Sequence, residues 1–513
     1  MQVKILWADD EIDMLKPHIL FLEGKGYTVS TANNGADAVE MNKADNFDII
    51  FLDENMPGIS GLEALSRIKE EKPSIPVVMI TKSEEEHIME EAIGKKIADY
   101  LIKPVNPNQI LLTIKKNLDK SKLVSQTTNA NYQQEFRQLG MQLNSRMDAE
   151  EWKEMYQKLV YWELELEEIE DAGMREILTM QKKEANTQFT RLIEDNYEDW
   201  IAGDENAPLF LHQVFKENIA PIVKDEKVCL LVIDNLRFDQ WKVLKPIIEK
   251  QFRVAREEII YSILPTATQY ARNAFFAGLM PSDIASKYPK YWIGEDEEGS
   301  KNKFEQELME TQLTRLGINI KWSYNKITNY EAGKKLAESF HQLKENQLNV
   351  VVYNFVDMLS HARTESEMIR ELADDEAAYR SLTLSWFEHS PLQEIIKKVA
   401  ESKTKLIITT DHGTVRVANP VKIVGERSTN TNLRYKVGRN LSYNKKEVFS
   451  AQPKDVRLPS TKMSSEYVFA QENDFFVYPN NYNHFVKYYQ NTFQHGGISL
   501  EEILIPYIEL DVK

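Results

Sequence analysis

In residues 1–120, short apolar runs alternate with stretches in which apolar side chains recur at helical spacing. Four of these runs are typical of buried strands: Val3–Ala8, Phe47–Asp53, Ile75–Thr81 and Ala98–Pro104. Strands that alternate with helices indicate a parallel, doubly wound sheet. The pattern therefore predicts an N-terminal α/β domain over residues 1–120.

The pattern changes in residues 121–204. This segment contains no proline, and charged residues alternate with Leu, Met, Tyr and Trp at helical spacing, most clearly in Glu150–Ala172. Apolar residues at this spacing are typical of helices that pack against one another. We predict a helical bundle that links two domains, with a solvated pair of spacer helices as the alternative.

Strand-like runs return in residues 205–513, and several of them end in acidic or imidazole side chains. Asp234 follows LLVI, Asp357 follows YNFV, and Asp411-His412 follow LIITT. A further strand-like run, ILIPYIEL, lies near the end of the chain. We predict a C-terminal α/β domain over these residues.

Residues 280–347 break the strand–helix rhythm of this third segment. They are rich in charged residues and carry several aromatic side chains. A long insertion of this kind is typical of a cap over a binding site, so we predict a cap insertion here.

At about 150 residues per domain, a chain of 513 residues is expected to form three domains in all.

The composition narrows the class of protein. A formal net charge of −17 argues against a protein that coats nucleic acid, although a metal could still reverse the charge locally for a small phosphorylated substrate. The single cysteine, Cys229, excludes an internal disulfide. The N-terminus lacks the features of a signal peptide, and no apolar run is long enough to span a bilayer, so we expect a cytoplasmic protein.

Polar side chains follow the predicted strands of the first domain. Asp9-Asp10, Asp53 and Thr81 come at three strand ends, and Lys103 follows a fourth. The carboxyl ends of parallel strands meet at one edge of the sheet, where clustered carboxylates predict a Mg²⁺ site. A carboxylate beside Mg²⁺ can accept a phosphoryl group, with Thr81 and Lys103 binding its oxygens.

These motifs resemble the receiver domain of two-component response regulators. They are Asp9-Asp10-Glu11, LDENMPG with Asp53, Thr81 and Lys103-Pro104. The resemblance implies a flavodoxin-like domain with a five-stranded parallel sheet, and a sensor histidine kinase as partner. It also implies that Asp53 is the phosphoacceptor, that the backbone carbonyl of Asn55 completes the Mg²⁺ shell, and that Tyr100 is the switch aromatic.

The C-terminal domain offers a second set of ligands, three aspartates and three histidines. They are Asp234, Asp357, His361, Asp411, His412 and His495. Carboxylate and imidazole together favour Zn²⁺ over Mg²⁺, and six ligands suffice for two metals that clamp a phosphoryl group. A hydroxyl nucleophile is expected after the first metal strand, where Thr266 and Thr268 are both available.

Five motifs of the C-terminal domain resemble those of the alkaline phosphatase superfamily, and within it the PglZ-type domains. In chain order they are VIDNLRFD, LPTATQYARNAFFAG, VDMLSH, TTDHG and HGGIS. The resemblance implies two zinc sites, whose ligands are Asp357, His361 and His495 for one and Asp234, Thr268, Asp411 and His412 for the other.

The same resemblance favours Thr268 over Thr266 as the nucleophile. Related phosphodiesterases place the nucleophile ten residues before the glycine that corresponds to Gly278. Relatives carry an asparagine three residues after the nucleophile to bind a phosphate oxygen, whereas this chain has Ala271. Arg272 or Asn273 is the expected substitute for that substrate contact.

The order of receiver, helical bundle and PglZ domain resembles the PorX-type response regulators over essentially the whole chain. This resemblance implies a role in type IX secretion. It also implies contacts with a sigma factor and with a motor protein of that secretion system. Receiver phosphorylation commonly drives dimerisation in this family, so we expect a homodimer on phosphorylation.

We therefore expect a response regulator in which phosphorylation of Asp53 controls a Zn²⁺-dependent phosphodiesterase that acts on cyclic or linear oligonucleotides. The alternative is a metal-stabilised, non-catalytic binding platform for the sigma factor or the motor protein. A transcription factor that binds DNA directly is disfavoured, because the chain is acidic and has no helix-turn-helix signature.

Overall fold

The computed structural model forms two compact units, Met1–Gln134 and Glu135–Lys513. It describes residues 3–81, 97–107, 109–111, 113–114, 117, 132, 135–167, 172–354, 356, 375–426, 429–460 and 464–513.

The first unit contains the predicted five-stranded parallel sheet, with strand order β2-β1-β3-β4-β5. Its strands are β1 (Lys4–Ala8), β2 (Thr28–Ala32), β3 (Ile49–Asp53), β4 (Val77–Thr81) and β5 (Asp99–Ile102). Its helices are α1 (Lys16–Glu23), α2 (Gly35–Ala44) and α3 (Gly61–Glu71). Apolar side chains are buried on both faces of the sheet. The edge strand β2 is half exposed and has no apolar run, which is why the hydrophobic pattern did not predict it.

The predicted helical middle is confirmed. The second unit begins with helices that include α4 (Ala149–Glu167) and α5 (Ala172–Ala202). The rings of Trp152 on α4 and Phe189 on α5 lie 5.5 Å apart edge to face, which joins the two helices. These helices belong to the same compact unit as the C-terminal domain.

The C-terminal domain is built on a six-stranded sheet with strand order β7-β19-β10-β6-β9-β8. Its strands are β6 (Val228–Ile233), β7 (Phe252–Tyr261), β8 (Trp322–Ile327), β9 (Leu348–Tyr353), β10 (Lys405–Thr409) and β19 (Leu504–Val512). Strands β10, β6, β9 and β8 are parallel, and β19 runs antiparallel to both β10 and β7. Two antiparallel steps restore the direction, so β7 also ends at the edge where β6, β9 and β10 end.

The helices of this domain begin after α5. They are α6 (Leu211–Val214), α7 (Ala220–Asp225), α8 (Phe238–Ile248), α9 (Thr268–Ala277), α10 (Pro281–Lys287), α11 (Glu305–Arg315), α12 (Tyr330–Ser339), α13 (Glu376–His389), α14 (Pro391–Glu401), α15 (Tyr482–Tyr489) and α16 (Leu500–Ile503). No helix among the described residues combines the length and the apolar character that crossing a membrane requires.

The segment predicted as a cap, residues 280–347, divides into two parts. Residues 305–343 add α11, β8 and α12, and β8 extends the main sheet at its edge. Strand β8 is only partly buried, so its sequence lacks the apolar run that marks a central strand. Residues 292–302 lie against the first turns of α9, where Gln269 and Asn273 donate to backbone oxygens of Ile293 and Lys301.

A second insertion, between β10 and β19, was not predicted. It forms one two-stranded and two three-stranded sheets. Its strands are β11 (Val415–Arg416), β12 (Asn419–Val424), β13 (Tyr435–Gly438), β14 (Ser442–Tyr443), β15 (Val448–Ala451), β16 (Glu466–Ala470), β17 (Asp474–Val477) and β18 (Phe493–Gln494). Most of these strands are too short to produce a distinct hydrophobic period.

Candidate metal centres and catalytic residues

The acidic cluster of the first unit lies at the carboxyl ends of β1 and β3. Carboxylate oxygens of Asp9, Asp10 and Asp53 all lie within 4.8 Å of one another. The Lys103 Nζ is 2.7 Å from Asp9 Oδ2 and 3.0 Å from Asp53 Oδ2. Burial raises the pKa of Asp53, and the Lys103 ammonium opposes that rise. The buried Asp53 Oδ1 has no hydrogen-bond partner among the described residues, so this cluster fits a bound Mg²⁺.

The remaining predicted receiver residues lie on β4, on β5 and in the loop after β3. Thr81 is the last residue of β4 and pairs with Ile102 in register, but its side chain lies outside the described part of the structure. Tyr100 is half buried and packs against the core on β5. Asn55 is exposed in the loop after β3.

In the second unit, two strand ends bring carboxylates together. Asp234 follows β6, and the next residue, Asn235, has a φ of 65°, a left-handed conformation that asparagine tolerates. This turn directs the Asn235 N–H to Asp411 Oδ1, at 3.2 Å. The N–H of His412 donates to the same oxygen, at 3.1 Å. The second carboxylate oxygen of Asp411, Oδ2, is buried and has no hydrogen-bond partner among the described residues.

The imidazole of His412 completes a three-residue cluster with Asp234 and Asp411. Its Nε2 is 4.0 Å from Asp234 Oδ1 and 3.8 Å from Asp411 Oδ2. Its Nδ1 lies 3.0 Å from the carbonyl oxygen of Gly413, which can only accept, so Nδ1 carries the proton and Nε2 keeps its lone pair. The Nε2 lone pair of His412 and a carboxylate oxygen without a hydrogen-bond partner in the described part of the chain, together in one buried cluster, fit a metal such as Zn²⁺.

The electrostatics of this cluster agree with that fit. Burial raises the pKa of Asp234 to about 6 and also raises that of Asp411, while it lowers the pKa of His412. Each group is therefore displaced towards its neutral form when only the protein surrounds it. A divalent cation would favour the two carboxylates and the neutral imidazole.

The two candidate nucleophiles have different environments. Thr268 is the first residue of α9, and its Oγ1 is 3.0 Å from His412 Nε2 and 3.4 Å from Asp234 Oδ1. The Thr266 hydroxyl is buried, donates to the Gly497 carbonyl oxygen at 3.0 Å and accepts from the Gly496 N–H at 2.9 Å. The structure thus brings Thr268 to the cluster and uses Thr266 to hold a loop.

His495 lies beside the same cluster. Its ring stacks on that of His412, with centroids 4.2 Å apart and an angle of 18° between the planes. Its Nδ1 is 3.0 Å from the carbonyl oxygen of Thr266. Asp357 and His361, the other predicted ligands of this second site, lie outside the described residues.

Both side chains predicted as substrate contacts are engaged inside the protein. Arg272 is buried, and its guanidinium donates to Asp234 Oδ2 at 2.6 Å and to Glu305 Oε1 at 2.5 Å. The amide of Asn273 donates to the backbone oxygens of Gln269 at 2.8 Å and Lys301 at 3.1 Å. Sequence reasoning did not single out Glu305, because a lone glutamate in a charged segment gives no signal of its buried partner.

Three family models match consecutive parts of the chain. The BREX system PglZ alkaline phosphatase-like domain matches residues 214–510, the PorX response regulator linker domain matches residues 122–201, and the response regulator receiver domain matches residues 5–115. The PglZ match alone extends over more than half of the chain.

Individual relatives match a smaller part. The transcriptional regulatory protein ResD of Bacillus subtilis is 34% identical over 132 residues, which are 25% of this chain and 53% of ResD. The transcriptional regulatory protein ZraR of Klebsiella oxytoca is 37% identical over 122 residues, 24% of this chain and 28% of ZraR. The chain thus spans about half of the first relative and about a quarter of the second.

Among solved structures, a CheY-like response regulator receiver domain protein from Methanospirillum hungatei is 26% identical to this chain. The match covers 23% of this chain and 96% of the receiver domain protein, with a TM-score of 0.23.

Proposed function

The chain belongs to the family of PglZ alkaline phosphatase-like domain proteins, and we propose that it is a phosphorylation-controlled, zinc-dependent phosphodiesterase. Before the PglZ domain it carries a response regulator receiver and a PorX-type linker. A receiver domain implies a histidine kinase that phosphorylates it. The proposal adds the reaction, the zinc ions and the link between input and output.

One observation carries the proposed reaction. The half-buried hydroxyl of Thr268 lies 3.0 Å from His412 Nε2 and 3.4 Å from Asp234 Oδ1, at the N-terminus of α9. A helix N-terminus favours negative charge, such as a deprotonated threonine or a phosphate oxygen. Asp234, Thr268, Asp411 and His412 are the residues that would hold one zinc ion. His495, with the predicted Asp357 and His361, would hold the other.

The proposed reaction has two displacement steps. The Thr268 Oγ attacks phosphorus, the bond from phosphorus to the leaving alcohol oxygen breaks, and the threonine proton ends on that alcohol. Water then attacks phosphorus in this threonine-linked diester, and the bond between phosphorus and Thr268 Oγ1 breaks. One water proton restores the Thr268 hydroxyl, and the remaining hydroxyl group leaves as part of the released phosphate monoester. Zinc at this site would lower the pKa of the Thr268 hydroxyl and offset the charge on the phosphoryl oxygens.

The environment of Arg272 favours a diester substrate. Its guanidinium is already paired with Asp234 and Glu305, so it is not available to balance the second negative charge of a phosphate monoester. A nucleotide diester, such as a cyclic or linear oligonucleotide, is the substrate class that we propose.

The proposed control starts at Asp53. Phosphorylation of this buried carboxylate would shift the Lys103 ammonium from Asp53 Oδ2 to a phosphoryl oxygen and promote homodimerisation. By the PorX-type architecture, the output would act in type IX secretion through a sigma factor and a motor protein of that system.

The activity test compares wild-type protein, Thr268→Ala and Thr268→Ser on bis(p-nitrophenyl) phosphate and p-nitrophenyl phosphate, with zinc content measured in parallel. We expect Thr268→Ala to lower kcat by about a thousandfold or more on the diester, because it removes the nucleophile. Thr268→Ser retains a hydroxyl and should keep measurable turnover. Equal turnover of the alanine variant and the wild type would contradict the proposal.

A non-catalytic binding platform remains the second candidate, and Arg272 also favours it. A resident guanidinium that neutralises Asp234 stabilises the acidic cluster without any substrate chemistry. Wild-type protein that binds two zinc ions and hydrolyses no phosphoester would support this platform and exclude the phosphodiesterase.

A further inference from the structure

We propose that Arg272, Glu305 and Lys326 are positioning residues that aim Asp234 and Thr268 at the metal. This inference rests on the proposed function, since it assumes that a metal binds at Asp234. It assigns to Arg272 a role other than the substrate contact that the sequence suggested.

The carboxylate of Asp234 is divided between two neighbours. Its Oδ2 accepts from the Arg272 guanidinium at 2.6 Å, whereas its Oδ1 faces Thr268 Oγ1 at 3.4 Å. The same nitrogen of Arg272 is 3.7 Å from Asp411 Oδ2. Arg272 therefore holds one oxygen of Asp234 and leaves the other directed at the cluster, which fixes the rotation of the carboxylate.

Glu305 fixes the orientation of Arg272 in turn. It accepts from the Arg272 Nε at 2.5 Å, and its other oxygen accepts from the Lys326 Nζ at 2.9 Å and from the Tyr324 hydroxyl. Arg272 and Glu305 are each about 1% exposed, and in this chain of contacts the carboxylates of Asp234 and Glu305 alternate with the cations of Arg272 and Lys326. A buried ion pair of this kind gives geometric definition more than net stability.

Lys326 has a second contact that leads to the nucleophile. Its ammonium donates to the carbonyl oxygen of Asn302 at 3.0 Å, and the side-chain amide of Asn302 donates to the carbonyl oxygen of Thr268 at 2.9 Å. One lysine on the edge strand β8 thus braces both the metal-facing carboxylate and the first turn of α9. Residues 280–347, predicted as a cap, therefore contain the side chains that hold Arg272 and the first turn of α9 in place.

Metal binding without substrate tests this arrangement. Lys326→Met is the principal variant because the Lys326 side chain is 24% exposed and Glu305 keeps its Tyr324 and Arg272 partners, which protects the fold. Lys326→Arg keeps a positive charge at position 326. Arg272→Lys keeps the charge but loses the planar guanidinium that can donate to two carboxylates at once. Lys335 is exposed, so Lys335→Met is the matched control. Zinc affinity is measured by competition with a chelating dye, and the absorption spectrum of bound Co²⁺ reports the ligand geometry.

We expect Lys326→Met and Arg272→Lys to weaken zinc binding by about tenfold or more and to change the Co²⁺ spectrum, as loss of outer partners does in metal sites. Lys326→Arg should recover most of the affinity, and Lys335→Met should match the wild type. If Lys326→Met binds zinc with wild-type affinity and gives the wild-type Co²⁺ spectrum, the positioning role is wrong while the proposed function stands. If wild-type protein binds neither metal, the proposed function itself fails.

Discussion

Two threonines two positions apart illustrate how strongly single residues differ in this site. Thr266 uses its hydroxyl to tie the Gly496–Gly497 backbone, while Thr268 presents the same group to His412 and Asp234. The difference follows from the backbone, because α9 begins at Thr268 and directs its first side chain into the cluster. Chemistry at this site therefore depends on where one helix begins.

At the same scale, His212 gives a prediction about stability and pH. Burial and, to a smaller extent, the Arg457 guanidinium together lower its pKa to about 4, while Asp283 partly opposes both effects. In the unfolded chain a histidine has a pKa of about 6.5. Between about pH 6.5 and pH 4, His212 is therefore protonated in the unfolded chain and neutral in the folded protein. The free energy of unfolding therefore falls as the pH drops through this window.

We expect the wild type to lose about 2 kcal/mol more stability than His212→Gln between neutral pH and about pH 5. Urea unfolding at the two pH values measures this difference. His341 is exposed, so His341→Gln should keep the wild-type pH dependence, because the half-buried imidazole of His212 is still present. Identical pH dependence in wild type and His212→Gln would show that His212 is not the responsible group.

At the scale of elements, the long helix α5 braces two loops of the site. The Tyr197 hydroxyl oxygen accepts from the Leu264 N–H at 2.8 Å, four residues before Thr268. Nearer the N-terminus of the same helix, Asn186 Oδ1 accepts from the Leu500 N–H at 2.8 Å, five residues after His495 in the sequence. The linker helix thus contacts both loops directly, and a displacement of α5 would reach the candidate nucleophile.

Tyr197→Phe should lower phosphodiester turnover several-fold, because it leaves the buried Leu264 N–H without an acceptor, at a cost of about 1–3 kcal/mol. Turnover and thermal unfolding are measured together with Tyr161→Phe, which alters an exposed tyrosine on the neighbouring helix. A Tyr197→Phe protein with unchanged turnover and unchanged melting temperature would contradict the bracing role.

The elements also indicate what the sequence could reveal. The strands before Asp234 and Asp411 are buried except for Lys405 at the start of β10, so their apolar runs predicted the two strands at whose ends these acids lie. The partner of Arg272 could not be predicted, because Glu305 is 33 residues away and all the residues of α9 after Thr268 are buried, so no exposed face distinguishes Arg272. The hydrophobic pattern identifies where strands end. Which buried side chains contact each other across the core depends on tertiary packing, and the spacing of apolar residues carries no information about it.

At the scale of the whole molecule, the chain joins a receiver domain to a PglZ alkaline phosphatase-like domain. We expect Asp53→Ala to abolish dimerisation induced by acetyl phosphate, because the acceptor carboxylate is lost, while zinc binding in the second unit is retained. Sedimentation velocity with and without acetyl phosphate measures the mass. The exposed Glu70→Ala should dimerise as the wild type does. Equal dimerisation of Asp53→Ala and wild type would exclude control through Asp53.

The position of β19 has a consequence for biosynthesis. This strand lies between β7 and β10, yet it is the last one along the chain, whereas the receiver sheet is complete at Ile102. On the ribosome, the input unit can therefore fold long before the output sheet can close. Until Leu504–Val512 emerges, the facing edges of β7 and β10 stay unpaired, and unpaired edges of this kind can pair with strands of other chains.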